Sequence, residues 1–188
     1  QIKGFLEELL PNTKLLIEPK IDGCAIAIQY KDGKLEKSIT RKGTDVTSKI
    51  IKIQNVPNKL PIQGVFQVRG ELYAPNKTPS FSQRIASGYL RAREGSEKNL
   101  SFCSFQILNT RLNQSEAKKH LKKFGFSTPT DFYCNFTSQV EILRKKCSEG
   151  KFFNDYPTDG IVIKINSRKL QLIREKSKGA YPHWQMAL

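Results

Sequence analysis

The chain has 188 residues, of which 38% are hydrophobic and 26% charged, a composition typical of a soluble globular domain with a sizeable core. Its 32 lysines and arginines outnumber 17 acids, and the formal net charge of +15 favours a polyanionic partner, nucleic acid or phosphate. No apolar run approaches the length of a membrane span and no signal peptide is recognisable, so we expect no membrane association.

The start of the chain predicts a helix followed by extended chain. Residues 1–10 have apolar side chains at helical spacing, and Pro11 ends that pattern. Residues 15–30 then read as strand, with an interruption at Asp22-Gly23. The stretch Glu18-Pro19-Lys20-Ile21-Asp22-Gly23 therefore carries a lysine between two acids, and on an extended chain these three side chains share a face.

A tight hairpin is predicted next. Asp32-Gly33 suits a two-residue type I′ turn. Counting back from this turn sets Arg41 opposite Cys24, so the returning strand would bring a guanidinium beside Asp22-Gly23. A short helix is predicted over residues 48–52.

The middle of the chain predicts a strand and a helix that carry polar side chains. Alternation over residues 64–73 places Arg69 and Glu71 on one face. Residues 80–83 match a capping box and predict a helix to about residue 93, on which Arg84 and Arg91 share a face.

The remaining chain predicts a strand over residues 100–109, helices over 115–124, 138–148 and 168–175, and a strand over 159–166. The lysines of the first of these helices read as a solvated face: Lys118, Lys119, Lys122 and Lys123. In the last strand Lys164 faces away from the isoleucines. Strands and helices interspersed in this way, with hairpins and no βαβ regularity, predict an α+β fold of antiparallel sheets flanked by helices.

The cysteines indicate the redox state of the cellular compartment and limit the kinds of metal site that we expect. The four cysteines show no C-x-x-C spacing and there are two histidines, so we expect no cysteine–histidine metal cluster. Cys24 and Cys103 lie in apolar runs and read as core thiols of a protein in a reducing, cytoplasmic compartment. The chain opens without a methionine in a helix-like pattern and stops in a strand-like one, so we expect a fragment.

Three separated motifs contain residues that are suited to catalysis or ligand binding: Glu18-Pro19-Lys20-Ile21-Asp22-Gly23, Val68-Arg69-Gly70-Glu71 and Asp159-Gly160-Ile161-Val162-Ile163-Lys164. The first alone also fits a solvated surface strand of mixed charge. In this order and at these separations, together with Thr40-Arg41 and Pro182-His183-Trp184, they resemble the adenylation (nucleotidyltransferase) domain of NAD-dependent DNA ligases over nearly the whole chain.

The resemblance implies a covalent nucleotidyltransferase (ATP-grasp-like) fold over residues 1–188 and a reaction with NAD. Lys20 would attack the adenylyl phosphorus, release nicotinamide mononucleotide and form lysyl-AMP, for later transfer to the 5′-phosphate of nicked double-stranded DNA in the full-length protein. The nucleophile must be a neutral amine. We expect Arg41 and Lys164 to help by placing positive charge near Lys20 and the phosphate.

The resemblance also assigns roles around Lys20. Glu18 would contact the adenine, Glu71 the ribose, Arg41 the sugar and phosphate, and Lys164 the α-phosphate. Asp22, with Gly23 beside it, and Asp159 would lie near the phosphate or a Mg²⁺ ion, whose preferred ligands are hard oxygens. Arg84 and Arg91 would contact phosphate or DNA.

Two other functions remain compatible with the sequence. One is an ATP- or GTP-dependent nucleotidyltransferase of the RNA ligase or capping type, and the other is a non-enzymatic basic module that binds nucleic acid. We also expect a monomer. Because the family's nicotinamide-recognising domain and its lysine after Trp184 are not in this sequence, we expect the fragment to bind an adenine nucleotide but to self-adenylate poorly and not to seal nicks alone.

Overall fold

The computed structural model describes residues 4–5, 9, 13–93, 98–135, 137–175 and 183–188. Within this part of the chain, eight strands form two four-stranded sheets in which every pairing is antiparallel. Helices pack against both sheets. The predicted α+β fold of antiparallel sheets flanked by helices is confirmed.

Sheet B is built from one continuous part of the chain. Its order is β3-β2-β4-β5, with β2 at Cys24–Lys31, β3 at Lys34–Thr40, β4 at Val65–Tyr73 and β5 at Ser101–Ile107. Its inward side chains form a large core with three helices, α1 (Thr47–Ile50), α2 (Pro79–Arg91) and α3 (Gln114–Lys123). Ile28, Leu72 and Phe102 are fully buried there, as alternation along these strands requires.

Sheet A combines the beginning and the end of the chain. Its order is β6-β1-β7-β8, with β1 at Leu15–Ile21, β6 at Phe132–Cys134, β7 at Thr158–Ile165 and β8 at Gln185–Ala187. Helices α4 (Thr137–Ser148) and α5 (Arg168–Glu175) pack against β7. Ile163 and Trp184 are buried in this second core.

The chain passes from sheet A to sheet B at Asp22-Gly23, between β1 and β2. Gly23 lies so close to β4 that a Cβ at this position would overlap the carbonyl oxygen of Leu72. Glycine is therefore required here by close approach of two backbones. The crossing places the C-terminal end of β1 beside one end of sheet B.

The hairpin turn forms as predicted, but the register beyond it does not. Asp32 (φ 48°) and Gly33 (φ 77°) both have positive φ, as a type I′ turn requires. An irregularity between Gln29 and Tyr30 then shifts the pairing by one residue, so that Thr40 faces Ile26 and β3 ends there. The expected pairing of Arg41 with Cys24 is therefore wrong, because one extra residue in β3 moves Arg41 beyond the strand.

Other boundaries differ in smaller ways. The capping box predicted at residues 80–83 is wrong, because the N-cap of α2 is Thr78, two residues before Ser80, and no side chain caps the helix. The predicted short helix lies at Thr47–Ile50. The helix predicted over residues 1–10 lies mostly outside the described residues. Of the described residues in this range, Gly4 and Phe5 are helical. No helix of the described part is long and apolar enough to cross a membrane.

Candidate active site

A cavity of about 950 Å³ opens between the two sheets, where β1 passes into β2. A volume of this size is sufficient for a nucleotide. Polar side chains from both sheets and from α2 line it, and they include most of the predicted site residues: Glu18, Lys20, Asp22, Gly23, Arg41, Glu71, Arg91 and Lys164. The sequence motifs, although far apart along the chain, therefore meet at one place.

Lys20 points into this cavity and is paired with Asp159. Both carboxylate oxygens of Asp159 lie 2.8 Å from Lys20 Nζ. A bulge explains the contact, because the register of β1 and β7 shifts between Pro19 and Ile21, and two residues of β7 face Lys20. Bulges of this kind redirect side chains beside active sites. Lys20 thus contacts an acid in this structure, whereas the sequence led us to expect the cations Arg41 and Lys164 beside it.

Glu71 reaches the cavity from β4, opposite Ala25 of β2. Burial of its carboxyl group and the nearby charge of Asp22 raise the pKa of Glu71 to about 8, although the backbone N–H of Gly23 and the charge of Lys20 oppose the shift. Burial, with the charge of Asp159, also raises the pKa of Asp22. The floor of the cavity therefore holds carboxyl groups that are partly desolvated and close to one another.

Glu18 and Lys164 form a buried ion pair in the cavity wall. The two residues are only 2% and 3% exposed, and Lys164 Nζ donates to Glu18 Oε2 at 2.6 Å. Lys164 also donates to the backbone carbonyl oxygen of Phe105 at 3.2 Å. β7 pairs with β1 with Lys164 opposite Leu16, so Lys164 lies beside Glu18 and not beside Lys20.

A second lysine joins this pair from behind the cavity wall. Lys118 Nζ lies 3.1 Å from Glu18 Oε1 and 3.0 Å from Asp131 Oδ1, and Lys118 is 4% exposed. The expectation of a solvated Lys118 is wrong, because Gln114, Ala117, Lys118 and Leu121 form the buried face of α3. The signal was present in the sequence, since positions 114, 117, 118 and 121 have the i, i+3, i+4, i+7 spacing of one helix face.

The arginines occupy different positions. Arg41 lies in the turn after β3 and lines the cavity. Arg91, in the last turn of α2, also lines it, and its Nε donates to the backbone carbonyl oxygen of Ser87 at 3.2 Å. Arg84 is exposed and is not among the residues that line the cavity. The structure thus brings Arg41 and Arg91, but not Arg84, to the site.

A divalent metal would find carboxylates at Asp22 and Asp159. The pKa of Asp22 is raised partly by the charge of Asp159, so a cation between them would relieve repulsion. In the described ranges no group of three or more His, Cys, Asp or Glu side chains lies together as a metal site. This donor set still fits Mg²⁺, which is usually bound by one or two carboxylates together with water and substrate phosphates.

Comparison with known sequences gives a consistent result. The model of the family described as the NAD-dependent DNA ligase adenylation domain matches residues 3–83. The DNA ligase of Borrelia hermsii is 34% identical over 201 residues, which cover 94% of this chain and 30% of the relative. The DNA ligase of onion yellows phytoplasma is 32% identical over 218 residues, which cover 100% of this chain and 32% of the relative. The chain thus spans about a third of the length of the curated relatives it matches.

Comparison with solved structures shows that the fold of this chain is similar to that of known ligases. The ATP-dependent DNA ligase of bacteriophage T7, solved with ATP, is similar with a TM-score of 0.55 at 12% identity. The match covers 88% of this chain and 60% of that one. At this identity the likeness concerns the fold alone, which is that of the nucleotidyltransferase domains of ligases.

Proposed function

Because the chain belongs to the family of NAD-dependent DNA ligase adenylation domains, we propose that it binds an adenine nucleotide between its two sheets and that Lys20 becomes adenylylated. The observation that carries the proposal is the meeting of Lys20, Glu71 and Lys164, from three different strands, around one cavity of nucleotide size. The donor is NAD, and the leaving group is nicotinamide mononucleotide.

In the proposed step, the amine of Lys20 forms a bond to the adenylyl phosphorus while the bond from phosphorus to the departing phosphate oxygen breaks. The electron pair of the broken bond leaves with nicotinamide mononucleotide, and Lys20 must give up its proton. The carboxylate of Asp159, 2.8 Å from Nζ, is placed to accept that proton. The bidentate contact also fixes the direction in which Nζ points.

Other side chains bind and orient the nucleotide in this proposal. Arg41 and Arg91 line the cavity with positive charge that attracts phosphate. Glu71 accepts hydrogen bonds from the ribose hydroxyls, and Glu18 contacts the base. Lys164 exchanges part of its contact with Glu18 for the α-phosphate, whose developing charge it stabilises.

Mg²⁺ fits this proposal beside Asp22 and Asp159: the Asp22 carboxylate would hold it, while Asp159, both of whose oxygens contact Lys20, would balance its charge. A bound Mg²⁺ supplies charge neutralisation at phosphate oxygens during transfer. The backbone N–H of Asp22 donates a hydrogen bond to the carbonyl oxygen of Pro157 at 2.8 Å. This contact holds Asp22 in place between the two sheets.

The proposed macromolecular partner is nicked double-stranded DNA, which would receive the adenylyl group on a 5′-phosphate and then be joined. Support comes from the relatives, which are DNA ligases, and from the net charge of +15. A monomer in the cytoplasm remains our prediction. A reducing compartment is consistent with Cys103, a buried thiol whose pKa is raised by burial.

The test is to incubate the protein with NAD or with ATP, each with Mg²⁺, and to weigh it by mass spectrometry. We expect a lysyl-AMP adduct with NAD that forms slowly, in line with the poor self-adenylation expected from the sequence, and that is absent in Lys20→Ala and present in Lys31→Ala, a change at an exposed lysine of β2. An adduct with ATP alone would assign the chain to ATP-dependent nucleotidyl transfer. Salt-sensitive DNA binding without any adduct, unchanged in Lys20→Ala, would replace the enzyme by a basic binding module.

A further inference from the structure

Lys118 is a buried lysine that the proposed function does not use. It lies on α3, is 4% exposed, and is not among the residues that line the cavity. Burial of a lysine is costly unless the ammonium group is paired and hydrogen-bonded. The position of its partners therefore indicates what the residue does.

The ammonium of Lys118 connects three parts of the structure directly behind the cavity wall. It donates to the backbone carbonyl oxygen of Pro129 at 2.6 Å, and it forms ion pairs with Asp131 at 3.0 Å and Glu18 at 3.1 Å. Pro129 and Glu18 both line the cavity. Lys118 thus ties β1 to the connector that precedes β6, across the wall of the site.

Glu18 forms ion pairs with two lysines, each of which contacts a different oxygen of its carboxylate. Lys164 contacts Oε2 from β7, and Lys118 contacts Oε1 from α3. Oε1 is buried and, despite the ion-pair distance to Lys118, accepts no hydrogen bond. Lys118 therefore meets Oε1 as an ion-pair partner and not as a hydrogen-bond donor.

The second lysine has a consequence for nucleotide binding, since Lys164 also has the α-phosphate as a proposed partner. When Lys164 turns toward that phosphate, Glu18 retains Lys118 as its counter-charge. Without Lys118, the same movement would leave a buried carboxylate uncompensated, which is strongly unfavourable. The arrangement lets Lys164 exchange partners while Glu18 stays in place.

We propose that Lys118 is a positioning residue that holds Glu18, as an acceptor-only carboxylate, against the amino group of the adenine base. The inference rests on the proposed function, since it assumes that Glu18 meets the base in this cavity. An ionised carboxylate accepts a hydrogen bond from the 6-amino group of adenine and repels the 6-carbonyl oxygen of hypoxanthine. Lys118 therefore contributes to the choice of base without touching it.

The experiment compares the dissociation constants of AMP and IMP, measured by calorimetry on the whole chain. The two nucleotides differ at the 6-position of the base, an amino group in AMP and a carbonyl in IMP. The variants are Glu18→Gln, Lys118→Met and both together. Lys119→Met is the matched control, since Lys119 is the exposed neighbour on the same helix. Thermal unfolding checks that each variant is folded.

We expect wild type and Lys119→Met to bind AMP at least about tenfold more tightly than IMP, as one hydrogen bond to a charged group allows. Lys118→Met should reduce this preference to within about threefold, and the double variant should match Glu18→Gln, because Lys118 acts through Glu18. A merely structural role would weaken AMP and IMP binding equally. If Lys118→Met does not fold, Lys118→Gln, which keeps a donor for Pro129, takes its place with the same expectation.

The inference would be overturned if folded Lys118→Met or Lys118→Gln kept the wild-type preference for AMP over IMP. It would also be overturned if the losses of this preference in the two single variants added up in the double variant. Equal binding of AMP and IMP by the wild type, in a protein that still forms the Lys20 adduct with NAD, would overturn the inference and leave the proposed function standing. Failure of the wild type to bind AMP, or to form any adduct even on prolonged incubation with NAD, would overturn both.

Discussion

Lys20 and Asp159 face each other across β1 and β7, with both carboxylate oxygens 2.8 Å from the ammonium nitrogen, although the two residues are 139 positions apart along the chain. Their side chains are 41% and 45% exposed. An ion pair with this exposure contributes at most about 1 kcal/mol to stability. The bulge in β7 that creates the contact is therefore better explained by the chemistry of Lys20 than by stability of the fold.

Replacing Asp159 by asparagine should separate the contribution of this ion pair to stability from its contribution to the chemistry of Lys20. In Asp159→Asn the free energy of unfolding should change by no more than about 1 kcal/mol. The rate of adduct formation at Lys20 should fall about 100-fold, since a positioned proton acceptor is lost. Rapid-quench mass spectrometry and denaturant unfolding measure the two quantities. Asp155→Asn, at an exposed acid in the connector just before β7, is the control, and an equal loss of rate there would contradict the assignment.

Two glycines should respond oppositely to the same substitution. Gly23→Ala places a methyl group on the carbonyl oxygen of Leu72, so the crossing between the sheets must shift, and we expect a loss of about 1–3 kcal/mol in unfolding free energy. Gly88 lies in α2 with nothing near a Cβ, so Gly88→Ala should gain about 0.5–1 kcal/mol. Chemical denaturation of both variants checks the prediction, which a stable Gly23→Ala would refute.

Glu71 should make stability depend on pH. Its pKa is about 8 in the folded protein, compared with an ordinary value of 4.5. Between these two pH values the carboxyl group of Glu71 is ionised in the unfolded chain and protonated in the folded protein. The stabilising contribution is therefore complete below about pH 4.5 and is lost as pH rises to about 8, with a slope of at most about 1.4 kcal/mol per pH unit.

Urea unfolding between pH 4.5 and 8 measures that slope in wild type and Glu71→Gln. The slope should become shallower in Glu71→Gln and stay unchanged in Glu36→Gln, a control at an exposed carboxylate of β3. Identical slopes in all three proteins would show that the proton of Glu71 is not retained on folding.

The two arginines of α2 form a matched pair for nucleotide binding. Arg91 lines the cavity and Arg84, two turns earlier, does not. Arg91→Ala should raise the AMP dissociation constant about tenfold, because a charge-assisted contact to phosphate is lost. Arg84→Ala should raise it less than about twofold. Calorimetry at constant salt is the measurement, and equal effects of the two changes would contradict this placement.

The elements with strong local signals were predictable from sequence. Asp32-Gly33 determines its turn through the positive φ that both residues adopt, and the alternation of Ile161, Ile163 and Ile165 locates β7. The position of Arg41 was not predictable, because the extra residue in β3 has no signal in composition or periodicity. A one-residue shift of register reverses every side chain beyond it.

The site was predictable in its membership but not in its pairing. The motifs identify Lys20, Glu71 and Lys164, and the fold brings them to one cavity. Which charge meets which depends on the bulge beside Pro19 and on the packing of α3 against β5. Lys118 was misread because its charge was given more weight than its spacing, although the spacing places it on the buried face.

The order of strands has a consequence for how the molecule assembles. Sheet B, from Cys24 to Ile107, is formed by one contiguous stretch of chain inserted between the strands of sheet A. Contacts near in sequence form fast, and those that close long loops form late. We expect sheet B to form early, and β1 to find β7 only afterwards. The contact between Lys20 and Asp159 would then be among the last made, and nucleotide binding would mark the completion of folding.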